Sequence, residues 1–267
     1  MSPDRHPSLP SLPVQAELVN RPLAAFAQDY LDGMATGAHS HSRAQLLYAT
    51  SGVMRILAAG ALHVVPTGRA LWVPAGLLHE VTMQGAVAMR ALFLRADVTG
   101  SGPAGVTVMA VSPLLRELVL AACSGPLEWD ESGRGGHLAA LILDEIACAP
   151  TLPLGVPQPR DPRLVRLAQA MRADPARDRT LEDWAEEVGA SPRTLTRRFR
   201  EETGLGFAVW RQQTRLAEAA ALLAQGMTPA RAAAAVGYAS ASAFGAAWRA
   251  AFGGTPARMG RDDGRFA

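Results

Sequence analysis

The chain has 267 residues, 49% hydrophobic and 19% charged, with a formal net charge of +2. That length holds two domains with cores of their own, and the composition excludes a disordered or fibrous chain. No run reaches the roughly 18 apolar residues of a membrane span, which argues against a membrane partner.

All 26 basic residues are arginine, and their distribution is uneven. Residues 160–267 hold 17 Arg against 12 Asp and Glu, whereas residues 1–159 hold 9 against 12. A basic C-terminal part on a mildly acidic N-terminal part points to one nucleic-acid-binding domain. In chain order, residues 1–21 carry prolines at 3, 7, 10 and 13 and no signal-peptide core, so they read as a disordered tail. Residues 22–110 show a period of two. Leu46, Tyr48, Val53, Ile56, Leu62, Val64, Leu71, Val73, Val81, Val87, Leu92 and Leu94 mark short strands, with breakers from Gly33 to Gly85 between them. Many short strands at regular spacing predict a sandwich or small barrel.

Two stretches in this region carry chemistry. The first is Gly33-x5-His39-x-His41-x3-Gln45-x6-Gly52, the second Gly68-x5-Pro74-x-Gly76-x2-His79. Positions 39, 41 and 45 share parity, so on one continuous strand their side chains leave the same face. A third imidazole from a neighbouring strand closes a site that suits Zn, Fe, Ni or Cu. The same three rings could instead line a polar pocket for an organic molecule. His6, His63 and His137 have no partner in sequence and read as surface or incidental. Residues 111–150 return to a helical period, over Pro113–Ser124 and Gly136–Ala149. The apolar stripe Leu138, Leu141, Ile142 and Ile146 needs a cover, either another copy of the chain or its own strands. Cys123 and Cys148 in these helices read as buried, reduced thiols of a cytosolic protein. Residues 151–162, with Pro153, Pro157, Pro159 and Pro162, read as an extended, semi-rigid linker.

Residues 163–261 open with one amphipathic helix and then repeat a supersecondary unit. The first copy runs Thr180–Gly204, the second Thr228–Pro256. In the first, Thr180 and Asp183 form a capping-box pattern, Gly189 stops the helix, and Ser191-Pro192 starts the next. Leu195 and Phe199 share the inner face. Arg193, Thr196, Arg197 and Arg200 are left outside. In the second, the outer face offers Ala241, Ser242, Gly245 and Ala246, with Ser240 at the helix start and Arg249 beyond. A helix, a short turn with Gly and a second helix are the helix-turn-helix signature. The breaker-free spacer Gly206–Gln225 would span about 30 Å as a helix. That is close to the roughly 34 Å between successive major grooves on one face of a duplex.

With the double repeat, Gly237-Tyr238, Ser240, Phe244 and the closing run Phe252-Gly253-Gly254-Thr255-Pro256, the stretch Leu164–Arg261 resembles the DNA-binding domain of AraC/XylS-type bacterial transcription regulators. Trp248 departs from the usual Phe, and Gly260 from a common Arg. The two histidine stretches resemble a cupin, whose metal-binding members use three His and a Glu. They match His39, His41 and His79, with Gln45 at the Glu position. Together the resemblances imply an α+β chain: a cupin jelly-roll barrel (22–110), dimerisation helices (111–150), a linker, and an all-α double helix-turn-helix domain (163–261).

The implied function is transcription regulation without enzymatic activity. Arg193, Thr196 and Arg197 would read bases, while Arg200, Ser240, Ser242 and Arg249 would complete the DNA contact. His39, His41, Gln45 and His79 would bind an effector, a divalent metal (Zn, Ni or Fe), or both. The implied partners are operator DNA, a small molecule such as a carboxylate, RNA polymerase and a second copy of the chain, in a bacterial cytoplasm. A metal-dependent cupin dioxygenase or isomerase is the alternative, opposed by the double repeat and by Gln45. A DNA binder without effector control is opposed by the histidine cluster. Four neutral ligands would leave a divalent ion uncompensated, and Glu80 has the wrong parity to help. A carboxylate effector is therefore expected to bring the charge. In a metal-free pocket, protonated histidines would attract an anion below about pH 6.5.

Overall fold

The computed structural model describes residues 14–100 and 102–258; residues 1–13, most of the expected tail, and the stretch from 259 with Gly260 lie outside it. The chain divides into two compact units. One is built from residues up to Ala59 with Val65–Pro153, the other from Gly60–Val64 with Leu154 onward.

The first unit is a cupin-like antiparallel sheet with helices. It holds α1 (Val14–Leu18), β1 (Leu23–Tyr30), β2 (Ala44–Ala58), β4 (Arg69–Val73), β5 (His79–Leu94), β6 (Thr107–Ala110), α2 (Pro113–Cys123), α3 (Arg134–Cys148) and β7 (Thr151–Leu152). The strands follow the order β1-β5-β2-β4-β6-β7. In register, Leu46 stands opposite Leu92 and Trp72, and directly opposed residues share a face. Ala44, Leu46, Tyr48, Trp72, Leu92 and Leu94 thereby make one apolar surface, on which Leu115 and Val119 of α2 and Ile142 and Ile146 of α3 pack. The stripe on α3 is therefore covered by its own sheet. Ile142 is 0% exposed and Ile146 3%, and burying each stabilises the unit by roughly 1.5–3 kcal/mol. Leu141, 46% exposed, points outward. The residues of opposite parity, Gln45, Leu47 and Ala49, are buried as well, so this half of β2 is covered on both faces. At Gly52 the strand bulges: the register shifts on both sides of Ser51, and the glycine has φ +75°. A Cβ there would lie 2.6 Å from the carbonyl oxygen of Ala86.

The tail expectation fails where the structure begins. Residues 14–18 are helical, and Ala16 and Val19 are buried. The apolar side of this short helix outweighs the proline-rich composition before it. The expectation of buried cysteines also fails: Cys148 is exposed, and Cys123 is partly buried, with burial pushing its thiol up to about 11.

The second unit holds α4 (Pro162–Ala173), α5 (Leu181–Glu187), α6 (Pro192–Thr203), α7 (Phe207–Ala224), α8 (Pro229–Ala235) and α9 (Ala241–Phe252). It is not purely helical. Strand β3 (Ala61–Pro66) pairs antiparallel with β8 (Gly155–Pro157), matching Ala61 with Pro157 and His63 with Gly155. The expected linker is thus built into structure. Thr151 pairs with Met109 in the first unit, and the Pro157 carbonyl accepts a 2.6 Å hydrogen bond from the Trp210 indole. Glu202 accepts from the amides of Arg160 and Asp161, and Asp161 caps α4. Prolines that cannot donate still accept through their carbonyls, which is how a proline-rich stretch joins a sheet. His63 is buried against Gly155 and is not a surface residue. Among the described residues no helix is long and apolar enough to cross a membrane.

Candidate ligand site and nucleic-acid interface

The three histidines come together. The expected route, one strand carrying 39, 41 and 45, is not the one the chain takes, because β2 starts at Ala44. His39 instead bridges His79: each amide donates to the other's carbonyl, at 2.9 and 2.8 Å. Directly opposed residues put their rings on one side, and the centroids are 4.3 Å apart. His41, two residues on from His39, keeps the same side, with centroid distances of 4.9 and 5.5 Å to the others. Phe93 meets the His41 ring edge-on at 5.0 Å, and Gln45 stands opposite Phe93 across the sheet. Gln45 therefore lies on the histidine face, 3% exposed, and its Oε1 has no hydrogen-bond partner in the structure.

Every ring is oriented through Nδ1. His39 Nδ1 bonds the Gly37 carbonyl at 2.8 Å, His79 Nδ1 the Leu77 carbonyl at 3.0 Å, and His41 Nδ1 the Glu17 carboxylate. An Nδ1–H donor fixes the tautomer and leaves Nε2 as a lone-pair atom. Nε2 of His41 and of His79 is buried without a hydrogen-bond partner. One ligand atom from each ring lies within 4.8 Å of the others. Three nitrogens bound to one ion at about 2.1 Å stand about 3.4–3.6 Å from one another, so the rings would close by up to about 1.4 Å to make a metal shell. The donor set fits a divalent transition metal: three oriented imidazoles and a neighbouring amide oxygen.

Two features of the structure bear on the charge expectation. Glu17, read as part of the tail, supplies the negative charge that the two motifs lack. Its carboxylate takes His41 Nδ1 and, through the other oxygen, the Ser42 amide and hydroxyl, both at 3.3 Å. Burial works to raise this carboxyl, but His41 and Ser42 outweigh it and hold it below its usual value. Second, burial pushes His79 down to about 4 and His39 below its usual value. Burial therefore disfavours the protonated form of both rings, which works against an anion trap built on these two. A separate cavity of about 340 Å³, lined by Leu23, Ala25, Trp129, Arg134 and Leu138 among others, contains none of these histidines.

The helical repeat is built as the sequence predicts. Thr180 and Asp183 form a reciprocal capping box on α5. Ser191 caps α6 by accepting from the Thr194 amide, Pro192 follows in the first turn, and Gly204 closes the helix in the left-handed conformation. Leu195 and Phe199 are buried, and Phe199 meets Trp210 edge-on at 5.2 Å. Arg193, Thr196, Arg197 and Arg200 are all exposed. Thr196 donates back to the Pro192 carbonyl at 2.9 Å, and Arg197 pairs with Glu201 at 2.8 Å one turn on. In the second copy Ser240 caps α9 through the Ala243 amide, and Phe244 and Trp248 are buried. Ser242, Ala246 and Arg249 are exposed. The spacer helix α7 has 18 residues, about 27 Å at 1.5 Å per residue, somewhat shorter than expected.

Comparison with known proteins agrees with this geometry. A family model described as AraC-like ligand binding domain matches residues 24–174, and one described as helix-turn-helix domain matches residues 184–262. The transcriptional regulator NimR of Escherichia coli is 29% identical over 227 residues, 85% of this chain and 83% of its own. The transcriptional regulator RipA of Corynebacterium glutamicum is 40% identical over 119 residues, covering 45% of this chain and 34% of RipA. Among solved structures, the C-terminal domain of AraT, a response regulator from Geobacillus stearothermophilus, is 30% identical and covers 38% of this chain and 85% of that one, with a TM-score of 0.36. The chain belongs to the AraC family: it is a DNA-binding transcription regulator, not an enzyme, with an N-terminal ligand-binding domain and a C-terminal helix-turn-helix domain.

Proposed function

We propose that His39, His41 and His79 hold a divalent metal beside Gln45, that a small molecule binds at this site, and that its occupancy controls operator binding. The observation that carries the reading is the set of three Nδ1-anchored rings, two of them with buried, unpartnered Nε2 atoms. An unmade bond on a buried polar atom costs about 1–3 kcal/mol, so the arrangement favours a ligand that completes it. The metal would supply a Lewis-acidic point for a carboxylate or similar donor. The neutral amide of Gln45 adds no charge, so the anionic partner is Glu17 behind His41 and, when bound, the effector.

On the DNA side, Arg193, Thr196 and Arg197 read base edges from α6, an arginine pairing bidentately with guanine O6 and N7. Arg200, Arg249 and the start of α9 at Ser240 hold phosphates, and Ser242 is the one polar side chain on the second reading face. A second copy of the chain and RNA polymerase are the protein partners this family role requires, in the cytoplasm of a bacterium. With Ile142 and Ile146 covered by the sheet, pairing of two copies through α3 would use its outer face around Leu141.

The test uses an operator selected from a random DNA pool. Operator affinity is measured by fluorescence anisotropy for chelator-stripped, zinc-loaded and nickel-loaded protein, alongside His79→Ala. The expected result is at least a tenfold difference between stripped and loaded protein, absent in His79→Ala. Equal affinity throughout, with no metal retained, would leave the cluster as a metal-free effector pocket.

A further inference from the structure

We infer that Glu17 is a positioning residue for the metal site and that it makes metal affinity depend on the docking of helix α1. The inference rests on the metal reading above. His39 and His79 are oriented by carbonyls two residues before them in the chain, Gly37 and Leu77. Among the described residues, His41 alone of the three is oriented by a carboxylate, and that carboxylate comes from 24 positions away.

The consequence is chemical. A carboxylate on Nδ1 makes Nε2 a stronger donor and places a negative charge one ring away from the ion. Three imidazoles and an amide are neutral, so Glu17 is the anionic group in contact with the ligand set. The contact is built rather than incidental. The His41–Ser42–Arg43 turn holds the α1 segment through every side chain it offers. His41 and Ser42 take Glu17, and the Arg43 guanidinium donates to the carbonyls of Val19 and, at 2.9 Å, Arg21. Ala16 and Val19 anchor the segment in the apolar interior. Metal binding at His41 and docking of residues 14–21 then strengthen each other by the same factor.

The experiment measures zinc affinity of the full-length chain by competition with a chromophoric chelator. Glu17→Gln, the same size without the charge, is expected to weaken zinc binding 10–100-fold, the range for an outer-shell partner of a ligating histidine. Glu17→Asp is expected to weaken zinc binding less, and the control Glu128→Gln, elsewhere on the surface, is expected to bind zinc as the wild type does. Zinc should slow proteolysis within residues 14–21 in the wild type and not in Glu17→Gln. Circular dichroism of the metal-free variant checks that it is folded. A Glu17→Gln affinity within about threefold of wild type overturns the inference while leaving the metal site intact. So does a melting temperature lowered equally with and without zinc, the result for a purely structural latch. If the wild type binds neither zinc nor nickel, the metal reading falls and takes this inference with it.

Discussion

The two helix-turn-helix copies share a frame and differ in their faces. Counted from the capping serines Ser191 and Ser240, the fourth residue is buried and apolar in both, Leu195 and Phe244. The eighth is a buried aromatic, Phe199 and Trp248, and the thirteenth a left-handed glycine, Gly204 and Gly253. The outward positions diverge. Positions two, five and six are Arg193, Thr196 and Arg197 in α6 but Ser242, Gly245 and Ala246 in α9. Position nine is arginine in both, Arg200 and Arg249. Packing fixes one set of positions and leaves the other free, so one scaffold can carry a specific and an unspecific reading head.

The largest expected effect tests the shared frame. Phe199→Ala and Trp248→Ala should each destabilise the C-terminal unit by about 3–5 kcal/mol, measured by chemical denaturation followed by circular dichroism. A much smaller loss in α9 would mean that the second copy is not a cooperative part of that unit. The faces should separate next. Arg193→Ala and Arg197→Ala should each cost about 1–3 kcal/mol of operator discrimination, and Ser242→Ala and Ala246→Ser less than about 0.5. Two equally sharp half-sites from binding-site selection would break the proposed asymmetry. The matched arginines should then behave alike. Arg200→Ala and Arg249→Ala should weaken all sequences uniformly, each lowering the salt slope by about one. The smallest difference lies in the caps. Thr180 accepts from the Asp183 amide, whereas Thr228 makes no side-chain cap bond. Thr180→Ala should therefore cost about 1 kcal/mol and Thr228→Ala clearly less, read from thermal melts.

The repeat was legible because its determinants are local: a cap, a glycine and apolar residues four apart all fall within one window. The strands were legible by alternation, but the double burial of Ala44–Ala49 was not, because the covering helices lie some 70 residues further on. The histidine set is only half explained by sequence parity. Parity put 39 and 41 on one side, whereas the bridge to His79 is what joins them. Glu17 was invisible. No spacing rule links residue 17 to residue 41, and the surrounding prolines masked the one helix-favouring run, Val14–Leu18, that hinted at it. The α3 stripe is legible as amphipathic, but periodicity does not say which surface covers it.

The pairing of β3 with β8 has a consequence for how this protein is made. The second unit is discontinuous in sequence: residues 60–64 belong to it, and their partners begin at Leu154. During synthesis β3 leaves the ribosome about 90 residues ahead of β8, a wait of roughly 5–20 s at ordinary elongation rates. For that interval β3 lacks the partner strand that β8 supplies. A piece cut out from residue 160 onward would lack both strands and the carbonyl that receives the Trp210 indole. A reading domain cut there is therefore expected to be less stable than one that keeps Leu154–Pro157.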